Sequence, residues 1–330
     1  MRLKPLFFII IATTIGLFIA SEIYLRFLNH RACFALAGSS TGICRHDAVL
    51  GWTNKEGEFT FSAATDQTIH LRLRENGRRA VSAGDSDAPD RREKIILVGG
   101  SFIFGQGLSD MQTFGWKLQQ RLPAIKVLNY GVQAYSTYQS LLMLERILPH
   151  TTNPAIVIYG FMNHHLERNI APTYWRAMLN QCNGPSVYIP YATVDKAGRL
   201  IHHPPETYTP WPLTKHLKIA QYLHIFYDMK FNQSPDIHPV MQRLLLEMQD
   251  WCQQYECQFF VAFLNAAPPL QNAYSRFCDQ NNIKTIRYDL TGYTTNQLRN
   301  PADGHPNEML NTLWAGQTSN VLSPLITPQK

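Results

Sequence analysis

Short apolar segments alternate with amphipathic ones from residue 94 onward, and this alternation limits the possible folds more than any other feature. Each apolar segment has the length of a strand, and most are followed by the apolar spacing of a helix. Strands joined through helices pair in parallel and have helices on both faces of the sheet. The pattern therefore predicts an α/β fold, a three-layer α/β/α sandwich with a parallel sheet. The predicted strands are 94–98, 127–131, 155–160, 258–264 and 283–290, and the predicted helices are 112–121, 135–148, 239–255, 268–281 and 308–325.

The first predicted strand runs directly into a glycine-rich turn that carries a serine, Lys94-Ile-Ile-Leu-Val-Gly-Gly-Ser101. Gly99 and Gly100 allow the backbone to turn sharply. The turn lies at the carboxyl edge of the sheet, where open α/β folds bind their ligands. It is not the G-x-S-x-G elbow, because Ile103 occupies the position of the second glycine. Taken alone, the turn is equally compatible with a simple connection between a strand and a helix.

Three further blocks carry residues with matching chemistry. Predicted strands end at Gly131 and at Gly160, and Asn163 follows the second of them. Asp303-Gly-His305 precedes the last predicted helix. A serine, a histidine and an aspartate together supply a nucleophile, a base and the group that orients the base. With these blocks in the order Ser, Gly, Asn, His, the chain resembles the SGNH (GDSL-type) serine hydrolase superfamily over residues 45–320.

The resemblance implies an SGNH or flavodoxin-like fold and a role for each matching residue. Ser101 would be the nucleophile, His305 the general base, and Asp303 the residue that holds the imidazole. The backbone N–H groups of Ser101 and Gly131 and the side-chain amide of Asn163 would form the oxyanion hole. Such donors stabilise the charge that develops on the tetrahedral intermediate.

The sequence departs from the usual family pattern at two places. Gly100 stands where the family has an aspartate before the serine. Two residues instead of one separate Gly160 from Asn163, and His164 stands where an aspartate is common. Neither change removes a member of the triad, but both concern how the serine turn and the oxyanion loop are held.

The N-terminus has the pattern of a membrane anchor. Arg2 and Lys4 precede an uncharged run, 5–21, and the apolar stretch continues past Glu22 to Leu25. This comes close to the length of about 20 residues that spans a bilayer. A cleaved signal peptide is the alternative, but Phe18 stands where a small residue is preferred before a cleavage site. The pattern favours an uncleaved transmembrane helix in the inner membrane, with the N-terminus inside and the catalytic domain periplasmic or extracellular.

Three regions follow from these observations. Residues 1–28 form the membrane anchor, 29–93 a linker and irregular lead-in, and 94–325 the SGNH-type catalytic domain with an insertion at about 164–235. An insertion after Asn163 would lie over the active-site edge, where loops carry specificity. Its Trp175 and Trp211 either stack on sugar rings or pack a small core of their own. Its adjacent histidines do not share a face, so no metal and no cofactor is predicted.

Charge and cysteine content add little about partners. The formal net charge of +6 does not indicate nucleic-acid binding. The cysteines lack the spacing of a zinc site, and one hypothesis pairs Cys33 with Cys44, another Cys252 or Cys257 with Cys278. A local basic cluster is predicted to be a solvated face or, alternatively, a contact for lipid headgroups or an acidic polysaccharide; it comprises Arg72, Arg74, Arg78, Arg79, Arg91 and Arg92.

The sequence therefore favours a serine esterase that cleaves an ester through an acyl-enzyme on Ser101. An O-acyltransferase acting on a cell-envelope polysaccharide is the first alternative, because the same triad serves both reactions. A non-catalytic envelope binding protein is the second. The predicted partners are an ester or acylated carbohydrate or lipid substrate, and the membrane through the N-terminal helix.

Overall fold

The computed structural model describes residues 3–28, 42–62, 68–88, 90–183, 187–214, 216–231 and 236–326. The helices are α1 (Leu3–Leu28), α2 (Ser101–Phe104), α3 (Phe114–Arg121), α4 (Thr137–Ile147), α5 (His165–Arg168), α6 (Thr173–Asn183), α7 (Lys218–Phe231), α8 (Ile237–Gln254), α9 (Pro268–Gln280), α10 (Thr295–Leu298) and α11 (Glu308–Leu322). The strands are β1 (Cys44–Asp47), β2 (Gly51–Asn54), β3 (Gly57–Ser62), β4 (Thr68–Leu73), β5 (Lys94–Gly99), β6 (Lys126–Asn129), β7 (Pro154–Met162), β8 (Tyr188–Val194), β9 (Leu200–Thr207), β10 (Gln258–Asn265) and β11 (Lys284–Ile286).

A five-stranded sheet organises the catalytic part of the chain. Its strand order is β11-β10-β7-β5-β6, and all four pairings are parallel. Three antiparallel hairpins, β1-β2, β3-β4 and β8-β9, accompany it. The prediction of an α/β fold with a parallel sheet is confirmed.

Two apolar cores lie on opposite faces of this sheet, because successive side chains of a strand point to opposite sides. In β5, Ile96 and Val98 belong to the core that α4 and α8 cover. Ile95 and Leu97 belong to the core that α3 and α11 cover. All four side chains are fully buried. The helices therefore form two outer layers around the sheet.

The chain reverses its direction of travel across the sheet at β5. It moves from β5 to β6 on one side and then crosses to β7 on the other. Ligands of open α/β folds bind at the carboxyl end of such a switch point. Ser101 begins α2 immediately after the end of β5, so the topology places it at this position.

The lead-in packs tightly on the sheet domain. The Trp52 indole donates to the Gln133 carbonyl at 3.0 Å, and the Tyr135 hydroxyl donates to the Trp52 carbonyl at 2.6 Å. Gln139 donates to the Leu50 carbonyl at 2.9 Å. Leu50 and Trp52 are also buried in the core under α4. The hairpin β1-β2 is therefore part of the same folded unit as the sheet.

The last strand is shorter than predicted. β11 pairs only residues 284–286 with β10, whereas the sequence predicted a strand over 283–290. The backbone turns away because the Asp289 N–H donates to Gln317 on α11 and the Asp289 carboxylate accepts from Thr291 N–H. These bonds replace the pairing that a longer edge strand would need.

Aromatic side chains of the insertion pack within it or onto the adjoining core. Trp175 is buried, Trp211 stacks on His224 with ring centroids 4.7 Å apart, and Tyr191 stacks on His203 at 4.2 Å. Trp175 therefore packs in a core, whereas Trp211 stacks on His224 and stays 39% exposed.

The thiols of Cys44, Cys252, Cys257 and Cys278 are free, so the hypothesis of a bridge to Cys278 is wrong for this structure. Cys252 and Cys257 lie instead at the C-terminal turn of α8, where the Cys257 N–H donates to the Cys252 carbonyl at 2.9 Å. Cys33 lies outside the described residues.

Candidate active site

The serine turn is built from a buried strand that ends in two glycines. Gly99 has φ 154°, a backbone conformation that side chains rarely adopt. A Cβ on Gly100 would lie 2.9 Å from His165 Nε2. A side chain at position 100 would therefore force the buried His165 ring to shift. Ser101 follows with 6% of its surface exposed.

Ser101, His305 and Asp303 lie in series at contact distance from one another. The Ser101 Oγ lies 3.1 Å from His305 Nε2, and His305 Nδ1 lies 3.1 Å from Asp303 Oδ2. The other Asp303 oxygen accepts the His305 backbone N–H at 3.0 Å. The structure thus brings together the three residues that the sequence proposed as a triad, within the distance expected for a nucleophile and its base.

The charge state of Asp303 suits a residue that supports an imidazolium. Burial would raise the pKa of its carboxyl, but hydrogen bonds from the His305 ring and backbone outweigh burial and lower that pKa below its usual value. The carboxylate is therefore ionised at neutral pH, directly behind the histidine ring.

Arg299 braces the histidine loop, and no pattern in the sequence indicated this role. Its guanidinium donates to the Gly304 carbonyl at 2.9 Å and to Asn265 Oδ1 at 3.1 Å, and lies 5.2 Å from the centroid of the Phe102 ring. The Phe102 ring also packs against His305, with centroids 5.7 Å apart. Arg299 thereby joins the loop of His305 to the end of β10 and to α2.

Asn163 is held with its amide nitrogen unengaged. Its N–H donates to the Asn265 carbonyl at 2.9 Å, and its Oδ1 accepts the Ala267 N–H at 3.1 Å. Because Oδ1 is the acceptor, Nδ2 is left as a donor, and it has no hydrogen bond to the described residues. An oxyanion donor needs a free N–H of this kind. The role of Asn163 in the oxyanion hole stays a prediction.

Gly131 does not have the geometry that the sequence led us to expect. Its N–H already donates to Asn129 Oδ1 at 3.0 Å. A Cβ at this position would lie 2.4 Å from the Phe104 backbone nitrogen, so the glycine is needed for close packing against α2. The assignment of the Gly131 N–H to the oxyanion hole is therefore corrected: in this structure that donor is engaged elsewhere.

Ala134 is a residue that sequence reasoning missed. It is buried and has φ 63°, in the left-handed region that costs a non-glycine residue on the order of 1 kcal/mol. Among the described residues its N–H has no hydrogen-bond acceptor. The next residue, Tyr135, places its carbonyl 3.4 Å from a Cβ built on Gly100, so this strained segment lies against the serine turn. Because alanine seldom adopts this backbone conformation, no sequence pattern predicts it at position 134.

Two buried side chains hold α2 from behind. Asn129 donates to the Ile103 carbonyl at 2.8 Å. Arg79 is fully buried and donates to the carbonyls of Phe104 and Gly105 at 2.8 and 2.7 Å. These bonds satisfy carbonyls at the C-terminal end of α2. They support the serine turn, which has Gly100 rather than an aspartate before Ser101.

Two members of the predicted basic cluster, Arg78 and Arg79, do not belong to a solvated face. Arg79 Nε donates to Asp110 at 3.1 Å, and Arg78 makes a buried ion pair with Asp85 at 2.6 Å. Only 3% of the Arg78 side chain is exposed. Arg91 is exposed and Arg92 is partly exposed, as predicted.

The polar side chain of His164 lies near the triad, at the start of α5. Burial, together with electrostatic interactions with Arg168 and His305, lowers the pKa of His164 to about 3. Burial also lowers the pKa of Arg168 to about 9, and its guanidinium rests on the Trp175 ring at 4.1 Å. His164 is therefore neutral at physiological pH. Among the described residues, no group of three or more His, Cys, Asp or Glu side chains is placed to hold a metal ion.

No protein-family model matches the chain, and no curated protein sequence matches it. Solved structures do match. A member of the lipolytic G-D-S-L family from Veillonella parvula is 10% identical, with 70% of this chain and 98% of that chain covered and a TM-score of 0.42. The esterase EstA from Pseudoalteromonas is 13% identical, with 72% and 98% covered and a TM-score of 0.41. A family 3 carbohydrate esterase from Clostridium thermocellum is 13% identical, with 71% and 99% covered and a TM-score of 0.41.

At these identities and TM-scores the likenesses support no statement about the activity of this chain. Its own fold is an α/β sandwich around a parallel sheet, with a serine just after β5 and an Asp-x-His loop ahead of the closing helix α11.

Proposed function

We propose that this chain is a serine esterase that cleaves an ester of a carbohydrate or lipid through an acyl-enzyme on Ser101. One observation carries the proposal: Ser101 Oγ and His305 Nε2, 204 positions apart in sequence, lie 3.1 Å apart with Asp303 on the far side of the ring. A nucleophile, its base and an orienting carboxylate in this order are the components of covalent acyl transfer.

In the first step, His305 Nε2 takes the Ser101 proton as Oγ attacks the ester carbonyl carbon. The ionised Asp303 stabilises the imidazolium that forms. Collapse of the tetrahedral intermediate breaks the carbon–oxygen bond of the ester, and the leaving alcohol takes the proton from His305. The acyl group is then bonded to Ser101.

In the second step, a water molecule attacks the acyl-enzyme while His305 accepts a proton from it. The second tetrahedral intermediate collapses, the acid leaves, and Ser101 recovers its proton from His305. In both steps His305 accepts and returns each proton, and the only co-reactant is water.

The oxyanion of both intermediates needs donors. Within the proposal these are the Ser101 N–H, Asn163 Nδ2 and the Ala134 N–H, the last in place of Gly131. The unengaged Asn163 amide and the strained Ala134 backbone beside Gly100 support this choice. Losing one such donor typically raises the barrier by about 3 kcal/mol.

The test uses the purified full chain and a short-chain chromogenic ester, with and without a serine-directed phosphonate. We expect turnover that the phosphonate abolishes, and phosphonylation of the peptide that contains Ser101. The Ser101→Ala variant should show neither. Turnover that survives in Ser101→Ala would end the proposal. Faster chromophore release with an added saccharide, and recovery of the acyl group on that saccharide, would instead indicate O-acyl transfer.

We further propose that α1 anchors the protein in the inner membrane with the catalytic domain outside the cytoplasm. Of the described helices, α1 alone is long and apolar enough to cross a bilayer: its segment Leu6–Phe27 has a mean hydropathy of 2.2 and is almost wholly exposed. A signal sequence has the same composition. Basic residues ahead of the segment favour an N-terminus inside.

Reporter fusions at the C-terminus distinguish the two sides of the membrane. Alkaline phosphatase should be active there, and a fluorescent reporter that folds only in the cytoplasm should be dark. The opposite pattern would place the domain in the cytosol. N-terminal sequencing of the membrane fraction distinguishes an anchor from a cleaved signal peptide.

A further inference from the structure

Helix α7 has its polar and apolar sides reversed relative to a helix on a soluble surface. Two of its polar side chains face the protein: His224 is buried, with Nδ1 2.8 Å from the Tyr208 hydroxyl, and Asp228 accepts from Thr173. Its apolar side chains face outward. Soluble helices show the opposite arrangement, with the apolar stripe toward the core.

The outward side is continuous and large. Tyr222, Leu223, Phe226 and Met229 are 42, 55, 62 and 70% exposed, and we call these four residues the α7 apolar face. Their spacing of i, i+1, i+4 and i+7 places them on one side of the helix. Burying one large apolar side chain fully is favourable by about 1.5–3 kcal/mol, so this face is costly to leave in water. Contiguous exposed apolar patches mark surfaces that contact a protein or a membrane.

The N-terminus of α7 is bonded to the proposed membrane anchor. The carboxylate of Glu22 on α1 accepts the N–H groups of Lys218 and Ile219 at 2.9 and 3.0 Å. Arg26 binds the same carboxylate at 2.8 Å and donates to the His216 carbonyl at 2.6 Å. Glu22, which interrupts the apolar stretch of α1, is thus almost fully buried by its partners.

The position of Glu22 sets the depth at which α7 begins. Glu22 follows Leu6 by 16 residues, which is about 24 Å along a helix. The apolar part of a bilayer is about 30 Å thick. If α1 spans from Leu6, α7 starts close to the boundary of the bilayer on the side of the catalytic domain.

We propose that α7 lies on the surface of the bilayer that α1 spans, with the α7 apolar face inserted among the lipids. The inference rests on the proposed anchoring role of α1. Amphipathic helices of this kind bury their apolar side into the boundary between headgroups and acyl chains. Lys230 in the last turn of α7 is exposed and suits contact with lipid phosphate. The domain is then held at two places, α1 and α7, which fixes its orientation on the membrane.

The experiment uses the full chain in nanodiscs of phosphatidylethanolamine and phosphatidylglycerol. The photoreactive residue p-benzoylphenylalanine replaces Phe226 in one sample and Val321 in the other. Val321 is the matched control, because it is an exposed apolar residue, 42% exposed, on α11. The substituted side chain keeps the apolar character of position 226, so folding is not compromised. Mass spectrometry of peptides measures the lipid adducts.

We expect lipid adducts at position 226 to exceed those at position 321 by about tenfold, as for a side chain within the boundary layer. Equal yields at the two positions would overturn the proposal. Adducts that join position 226 to a second copy would overturn it as well, since the face would then be a protein interface. If the chain does not enter nanodiscs at all, the anchoring proposal fails first, which is a distinguishable result.

Discussion

Replacement of Arg79 by methionine tests whether the serine turn is held from behind. No part of the Arg79 side chain is exposed, and its guanidinium donates to the carbonyls of Phe104, Gly105 and Leu108 and to Asp110. Methionine fills similar space but donates to none of them. Arg79→Met therefore leaves three carbonyls and one carboxylate without this donor.

The size of the effect follows from burial. Removing one partner of a buried ion pair typically costs about 3–5 kcal/mol, because the other charge is left uncompensated. Asp110 keeps Arg72 Nε at 3.2 Å, so we expect the lower end, about 3 kcal/mol of the free energy of unfolding. The ester turnover of the folded variant should fall as well, because the end of α2 loses its support.

The measurement is urea unfolding of the detergent-solubilised full chain, with Arg92→Met as the control. Arg92 pairs with Asp90 at 2.6 Å, but the two side chains are 38 and 18% exposed. Such a pair contributes about 0–1 kcal/mol. If Arg79→Met and Arg92→Met destabilise equally, the buried brace has no special role and the reasoning is wrong.

Four further predictions each concern a single residue. Asn163→Ala should lower kcat by about 10²–10³, while the lost bond from the Ala267 N–H lowers the free energy of unfolding by only about 1 kcal/mol; unchanged kcat would remove Asn163 from the oxyanion hole. Stability should fall as pH falls from about 6.5 toward 3, because the unfolded chain protonates His164 and His165, whose pKa values are both lowered by burial, before the folded chain does; His164→Gln should make this decline shallower in pH-dependent denaturation. Gly131→Ala should lower the melting temperature, since its Cβ would lie 2.4 Å from a backbone nitrogen. Ala134→Gly should not lower it, because glycine tolerates the positive φ.

The sequence predicted the sheet and the triad because their signals are local. Apolar runs of strand length identify β5, β7 and β10 to within two residues at each end. Ser101 lies just after such a strand, at the edge where parallel strands bring their carboxyl ends together, and Asp303 and His305 lie in the loop before the predicted helix α11. The position of the site followed from the topology once the order of residues was recognised.

The supporting residues could not be read from the sequence because their partners are far along the chain. Arg79 meets Asp110 and the end of α2, and Arg299 meets Asn265 and Phe102, in contacts that only the folded chain makes. A count of neighbouring charges placed Arg79 in solvent for this reason. Gly131 was misassigned because a glycine after a strand can serve close packing as readily as a ligand site.

Detection of the acyl-enzyme tests the central claim most directly. The full chain is mixed with a chromogenic acetate, acid-quenched within the first turnover, and mapped by peptide mass spectrometry. The proposed mechanism predicts a single acetyl group on Ser101, and its accumulation should require His305, so that His305→Ala shows none. Ester cleavage at full rate without any acyl group on Ser101 would contradict nucleophilic catalysis by this serine.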